Sequence, residues 1–201
     1  MDRLDQLLGA ASPLLRRVDA LLRAGGAPPD HGVWHQLRRV RLLPGDAARA
    51  VAALRPTDLR DAGPELRADA RACALLAAHL PPPGEWSGAA ADSYDQARQR
   101  TAERLSGGET SLTERLEASA DLAEALVDWM RTTRDGLAWI LAELLGSTEA
   151  VVLASDTMDI ASPREAGASA DIAEKVLQAV ADAYDEATDL LRRSTALAVA
   201  R

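Results

Sequence analysis

Aromatic side chains are scarce in this chain: they make up 3% of its residues, and phenylalanine is absent. Hydrophobic residues nevertheless reach 47% of the 201 positions, so a core must be built from aliphatic side chains. Alanine and leucine dominate that set. Both are strong helix formers, whereas strands favour β-branched and aromatic residues. The composition therefore predicts an all-α protein.

Cysteine occurs once, at Cys73, so the sequence offers no pair for an internal disulfide. Long apolar runs are missing as well, because no stretch approaches the roughly 20 residues that span a bilayer. The N-terminal residues lack the apolar segment of a signal peptide. We therefore expect a protein that is made in the cytoplasm without a signal peptide and that does not insert into membranes.

Positive charge is in deficit, with a formal net charge of -8. Residues 1–80 hold 12 arginines against 9 acidic residues, whereas residues 81–201 hold 11 basic and 22 acidic residues. An acidic chain repels phosphate backbones, so we expect no nucleic-acid binding. The basic N-terminal part is expected to lie against the acidic C-terminal part or against a partner.

Catalytic and metal-binding patterns are also missing from the sequence. His31 and His35 are four residues apart and would share a helical face, but no further histidine or cysteine stands nearby. The Glu-x-x-His motif of di-iron bundles is absent, as are a glycine-rich phosphate loop and a cysteine pair for zinc. We expect a non-enzymatic protein with no cofactor and no metal. A metal-dependent enzyme that uses His31, His35 and one of the acidic residues is kept as an alternative.

Hydrophobic residues recur at spacings of three and four, the pattern of amphipathic helices. In the first such helix, Ser12-Pro13 predicts a kink or a restart. Thr57 is predicted to cap a later helix, after a less regular stretch over residues 30–56 that contains short helical pieces around 33–42 and 46–54. The inner face of that later helix is predicted to comprise Leu59, Ala62, Leu66, Ala70, Cys73, Leu76 and Leu80. This organisation predicts an N-terminal helical arm over 1–56 and a helical bundle over 57–201, or one continuous domain.

The most regular pattern covers residues 112–144, where steps of four and three alternate without a break. Its members are Leu112, Leu116, Ser119, Ala123, Leu126, Met130, Thr133, Leu137, Ile140 and Leu144. We call this a/d register the heptad seam; it predicts one helix of about 33 residues, roughly 50 Å long. A connection over 155–169 is predicted to follow. The last helix then carries an acidic stripe, expected to face solvent, at Asp182, Asp185, Glu186 and Asp189.

One motif follows the strongest stop signal of the chain, the turn Pro81-Pro82-Pro83-Gly84. It reads Trp86-Ser87-Gly88-Ala89-Ala90-Ala91-Asp92-Ser93-Tyr94. At the tip of a helical hairpin the indole of Trp86 would be half-exposed, and Gly88 would let another chain approach closely. The helix after this turn is predicted to carry one face formed by Trp86, Ala90, Tyr94, Ala97, Thr101 and Leu105.

This motif resembles the WXG family, the Trp-x-Gly helical hairpins that ESX (type VII) secretion systems export. The resemblance covers roughly residues 57–145, with the turn at 84–88. It implies that Trp86 and Gly88 form the turn motif and that Tyr94 packs on the second helix. It also implies antiparallel pairing with a second helical hairpin and delivery to a membrane-bound secretion ATPase. The chain is longer than a minimal hairpin and looks closer to the bundle-type members.

The export tail of that family, Tyr-x-x-x-Asp/Glu, is not matched, because Tyr184 is followed four residues later by Thr188. We expect a type VII substrate, partner or structural component that pairs helix faces with another helical protein or with itself. The residues expected to bind the partner are Trp86, Gly88, Tyr94, Leu126 and Met130. Two alternatives are a cytosolic scaffold that self-associates through the heptad seam, and a bundle in which Trp86 only fills one end.

Overall fold

The computed structural model describes residues 2–154 and 162–199, and within those ranges it contains helices, turns and no strand. The all-α bundle predicted from composition is thereby confirmed. In chain order the helices are α1 (Arg3–Gly25), α2 (Val33–Val40), α3 (Pro44–Ala52), a 3-10 turn (Pro56–Leu59), α4 (Ala62–Ala78), α5 (Ala89–Ser106), α6 (Leu112–Leu145), α7 (Thr148–Ala154) and α8 (Pro163–Val199).

Helix α1 continues through Pro13, so the restart predicted at Ser12-Pro13 is wrong. Proline inside a helix costs about 3 kcal/mol, because it removes one hydrogen bond and crowds the preceding turn. Burying one leucine or valine contributes roughly 1.5–3 kcal/mol. Leu4 lies buried before the proline, and Leu15 and Val18 lie buried after it. Their combined burial outweighs the local cost and keeps the helix continuous.

Helix α4 begins at Ala62, later than the predicted cap at Thr57. The residues around Thr57 form the 3-10 turn instead. Pro64 explains the difference, because a helix running from Asp58 would place it in the interior, where its missing N–H breaks a bond. Starting at Ala62 puts Pro64 in the first turn, where backbone N–H groups have no intrahelical partner anyway.

Helix α6 runs from Leu112 to Leu145 and confirms the single long helix predicted from the heptad seam. Part of the predicted connection over 155–169 is helical, since α8 begins at Pro163; residues 155–161 lie outside the described ranges. Ser162 starts α8 with a capping box: its hydroxyl accepts from Glu165 N at 3.2 Å, and its N–H donates to Glu165 Oε2 at 2.9 Å. The N–H and the hydroxyl of Ser162 both donate to the Glu165 carboxyl, and these two bonds, together with Arg17, lower the pKa of that carboxyl.

Two compact units divide the chain. Unit 1 consists of Met1–Arg55 with Trp129–Ala187, and unit 2 consists of Pro56–Asp128 with Thr188–Arg201. Residues 1–55 share one core with residues 129–187. The largest fully buried side chains of that core include Leu4, Val18, Val33, Val51, Leu141, Leu144, Ile172 and Leu177.

Ion pairs join the basic N-terminal part of unit 1 to acidic residues of α8. Arg17 contacts Glu165 at 3.2 Å, and Arg39 contacts Asp182 at 3.1 Å and Asp185 at 2.7 Å. This is the first of the two arrangements expected from the uneven charge. Asp182 and Asp185 are exposed, as predicted for the acidic stripe, yet both are also paired with Arg39.

The interior of unit 2 is formed mainly by small residues. Among its described residues, those that are buried are Gly63, Ala70, Ala91, Ser111, Ala120, Ala123 and Val127. Helices α4 and α5 pack against each other in this unit. Because an alanine methyl group removes far less apolar area from water than a leucine side chain, these buried residues contribute less hydrophobic stabilisation each than the leucines and valines buried in unit 1.

No single helix in the described ranges has both the length and the apolar character of a membrane span, although α6 and α7, which meet at a 62° bend, meet those criteria as a pair.

Candidate functional site

The connection between α4 and α5, residues 79–88, holds the Trp-x-Gly motif. Its indole, on Trp86, is 50% exposed. The rings of Trp86 and Tyr94 have centroids 5.5 Å apart and are tilted by 49°, within the range of favourable aromatic contacts. The Tyr94 hydroxyl donates to Pro81 O at 2.9 Å, which ties the start of the connection to α5. Trp86 is thus supported on one side and open to solvent on the other.

Gly88 immediately precedes α5 with φ of 96°, a left-handed conformation that side chains with a Cβ rarely adopt. Nothing lies within 4 Å of the position that a Cβ would occupy. The backbone angle, rather than a close neighbour, therefore requires glycine here. Trp86, Gly88 and Tyr94, the three motif residues expected to act together, lie in one turn and the first part of α5.

The helical face predicted for α5 is wrong in two respects. Trp86 precedes the helix, because α5 begins at Ala89. The buried position is Ala91, whereas Ala90, Ala97 and Thr101 are exposed. Alanines occur on several sides of this helix, so apolar spacing did not distinguish the face that packs from the faces that do not.

Large apolar side chains are exposed on the surface of unit 2 near the end of α4. Leu75 is 62% exposed and Leu76 is 56% exposed. Leu76 was predicted to lie on the inner face of α4, and that prediction is wrong. The spacing of apolar residues could not indicate that both leucines are exposed, because they are neighbours in a run of alanines. The exposed leucines of unit 1 are less exposed, at 36% for Leu42 and 37% for Leu145.

Leu126 and Met130 lie on α6 at their predicted seam positions, and both are partly buried. Leu126 belongs to unit 2 and Met130 to unit 1. Further along the heptad seam, Leu137 and Leu144 are buried in the core of unit 1. Self-association through the whole seam would therefore compete with packing inside the chain.

The histidines take part in local contacts. His31 Nε2 lies 3.1 Å from Asp171 Oδ1, and His31 Nδ1 accepts from Val33 N at 3.1 Å. His35 is exposed. Within residues 2–154 and 162–199, no group of three or more metal-ligating side chains converges.

Helix α3 is held at both ends by charged side chains that sequence reasoning missed. At its start, Asp19 Oδ1 accepts from Gly45 N at 3.1 Å. A Cβ at Gly45 would stand 2.5 Å from Asp19 Oδ2, so only glycine allows this approach. At the other end Arg134 is the charged group. The positive charge of Arg134 at the end of α3 interacts favourably with the helix dipole.

Arg134 is 7% exposed, and every nitrogen of its guanidinium is hydrogen-bonded. It contacts two carboxylates at the start of α1, with Nη2 at 2.5 Å from Asp2 and 3.2 Å from Asp5. Nη1 donates to three carbonyl oxygens at the end of α3, those of Val51 (3.4 Å), Ala52 (2.5 Å) and Leu54 (3.0 Å). One side chain thus joins α1, α3 and α6.

Asp19 leads to a prediction about pH. Burial raises the pKa of its carboxyl above the ordinary 3.8, against the opposing effect of the bond from Gly45. The folded chain therefore holds this proton at pH values where the unfolded chain has lost it. The contribution of Asp19 to stability is full below pH 3.8 and declines as pH rises through the folded-state pKa. Asp19→Asn keeps the acceptor oxygen without the charge. The free energy of unfolding of this variant should therefore rise relative to that of wild type as the pH increases from 4 to 7.

Urea unfolding of Asp19→Asn and wild type at several pH values would measure this difference. Asp30→Asn is the control, because Asp30 is exposed in the same unit. A penalty for Asp19→Asn that grows with rising pH would contradict the prediction.

No protein-family model, curated protein or solved structure matches this chain.

Proposed function

We propose that this chain is a non-enzymatic helical component of a type VII secretion system, acting as substrate, partner or structural component. It would recognise another helical protein through the connection between α4 and α5, in the manner implied by its resemblance to WXG hairpins. The motif residues Trp86, Gly88 and Tyr94 would form the centre of that surface.

The observation that carries the proposal is that unit 2 buries small residues and exposes large apolar ones. Its described interior is mostly alanine, whereas Leu75, Leu76 and Trp86 are each at least half exposed. Burying one such side chain fully is worth roughly 1.5–3 kcal/mol. A partner that covered them would recover stabilisation that the chain alone leaves unused.

The geometry around Trp86 supports the same reading. Its contact with Tyr94, and the bond from Tyr94 to Pro81, limit how far the connection can move. A preordered aromatic side chain loses little conformational entropy on binding, and tryptophan is enriched among residues that dominate interface energy. The alternative in which Trp86 only fills the end of a bundle is less favoured, because half of its surface is exposed.

The proposal is tested by deleting the type VII secretion ATPase in the source organism. The amount of this protein in the culture medium should fall to background while its amount inside the cells rises. A protein exported through a cleaved signal peptide is the control, and its level should not change.

Unchanged levels in the medium would contradict the secretion role. Light scattering on the purified chain examines the scaffold alternative. A stable homodimer that dissociates when Leu126→Glu and Met130→Glu are combined would favour self-association through the heptad seam.

A further inference from the structure

A groove of about 460 Å³ lies between the end of α5 and the start of α6, entirely within unit 2. Three arginines line it together with one acidic, one hydroxyl and one apolar residue: Arg100, Arg104, Arg115, Glu103, Thr110 and Leu112. The charged lining is therefore three positive groups against one negative group. This is unusual in a chain whose net charge is -8.

Several arginines elsewhere in the chain are matched with carboxylates, although exposed ones such as Arg16 and Arg71 form no ion pair among the described residues. Arg39, Arg67 and Arg134 each contact two acidic side chains, and Arg17 contacts one. Among the residues that the structure describes, none of the ion pairs involves Arg100, Arg104 or Arg115. The groove thus brings together three guanidinium groups that form no ion pair within the described chain.

The helix dipole accounts for the position of only one of the three arginines in the groove. Arg104 lies in the last turn of α5, where a positive charge is favourable. Arg115 is the fourth residue of α6, near the positive end of that helix, where a cation is unfavourable. Like charges lining one groove also repel each other. Departures from such local rules are expected at binding sites, where a ligand supplies the missing charge.

We propose that this arginine groove binds the carboxylates of an acidic segment, with interspersed apolar residues, of the partner protein. Guanidinium groups match carboxylates with two parallel hydrogen bonds. Leu112, 40% exposed in the same groove, provides an apolar contact beside the charges. The inference rests on the proposed function for the existence of a protein partner, but it concerns a surface distinct from the turn that holds Trp86.

Fluorescence anisotropy with a labelled peptide of repeated Leu-Glu-Glu units, added to the full chain, tests this inference. Arg100→Gln, Arg104→Gln and Arg115→Gln should each weaken binding about two- to fivefold, as expected for exposed charge pairs. The triple variant should lose at least about tenfold. Arg71→Gln is the matched control, because Arg71 is exposed on α4 and does not line the groove. Binding should weaken with added salt.

Three results would overturn the inference: no binding of the acidic peptide by the full chain, equal binding of a Leu-Lys-Lys peptide, or unchanged affinity in the triple variant. Complete displacement of the peptide by an equal concentration of inorganic phosphate would also overturn it, because the groove would then recognise a lone oxyanion. The peptide assay uses the purified chain and does not depend on secretion. Failure of the secretion experiment with intact arginine-dependent binding would therefore reject the proposed function alone.

Discussion

Replacing Arg134 with methionine is expected to lower the free energy of unfolding by about 3 kcal/mol. Breaking a buried ion pair costs roughly 3–5 kcal/mol when the remaining charge stays buried. The lower end of this range applies here, because the carboxylates of Asp2 and Asp5 are partly exposed and would be hydrated once the arginine is removed. The carbonyl groups at the end of α3 would lose their donor, which adds to the loss. Urea unfolding monitored by circular dichroism at pH 7 measures the change.

Two further variants make this experiment specific. Arg134→Lys should recover only part of the loss, since a single ammonium cannot reproduce the planar fork that reaches two helices. Arg16→Met is the control, because Arg16 is exposed on α1 and should change stability by less than about 0.5 kcal/mol. An Arg134→Met variant as stable as Arg16→Met would show that this cluster does not hold α1 and α3 together.

Replacing Trp86 with alanine is expected to abolish export, and to weaken binding to an isolated partner by about thirtyfold or more. Interface residues of this type cost at least about 2 kcal/mol when truncated. The fold should tolerate the change, because the indole is half-exposed and makes one aromatic contact, with Tyr94, worth roughly 0.5–1.5 kcal/mol. Culture-medium levels and thermal unfolding of the same variant separate the two effects.

Trp139→Ala is the matched control for this experiment. Trp139 is 62% exposed on α6, in unit 1, and lies outside the turn motif. Its replacement should change neither export nor stability appreciably. Equal export of Trp86→Ala and wild type would remove the turn from the binding surface. Equal losses for both tryptophan variants would indicate a general effect of exposed indoles.

Helix α6 could be predicted closely from the sequence, because its alternating steps persist from Leu112 to Leu144. The same reasoning failed for α5, where Ala90, Ala91 and Ala97 give no contrast between faces. Hydrophobic periodicity locates a buried face only when large and polar residues alternate around the helix. Where alanine occurs on several sides, packing against neighbouring helices decides which face is buried.

The sequence contains a local signal for the start of α8, but the residues that follow it led to the prediction of a connection. Ser162-Pro163 followed by Glu165 combines a capping box with proline at the first helical position. Serine and glycine further along suggested a connection, but Ser169 is fully buried and its hydroxyl donates to Ala166 O. In contrast, Arg134 had no such signal, because its carbonyl partners precede it by about 80 residues.

The alanine interior of unit 2 also bears on how a partner would be recognised. Leucine side chains interlock in ridges and grooves, and this interlocking fixes how far one helix can slide along another. Methyl groups form a smoother surface, so a small shift between α4 and α5 sacrifices fewer contacts. A partner could then adjust the register of these helices as it binds. One sequence could in this way fit partners of somewhat different shape.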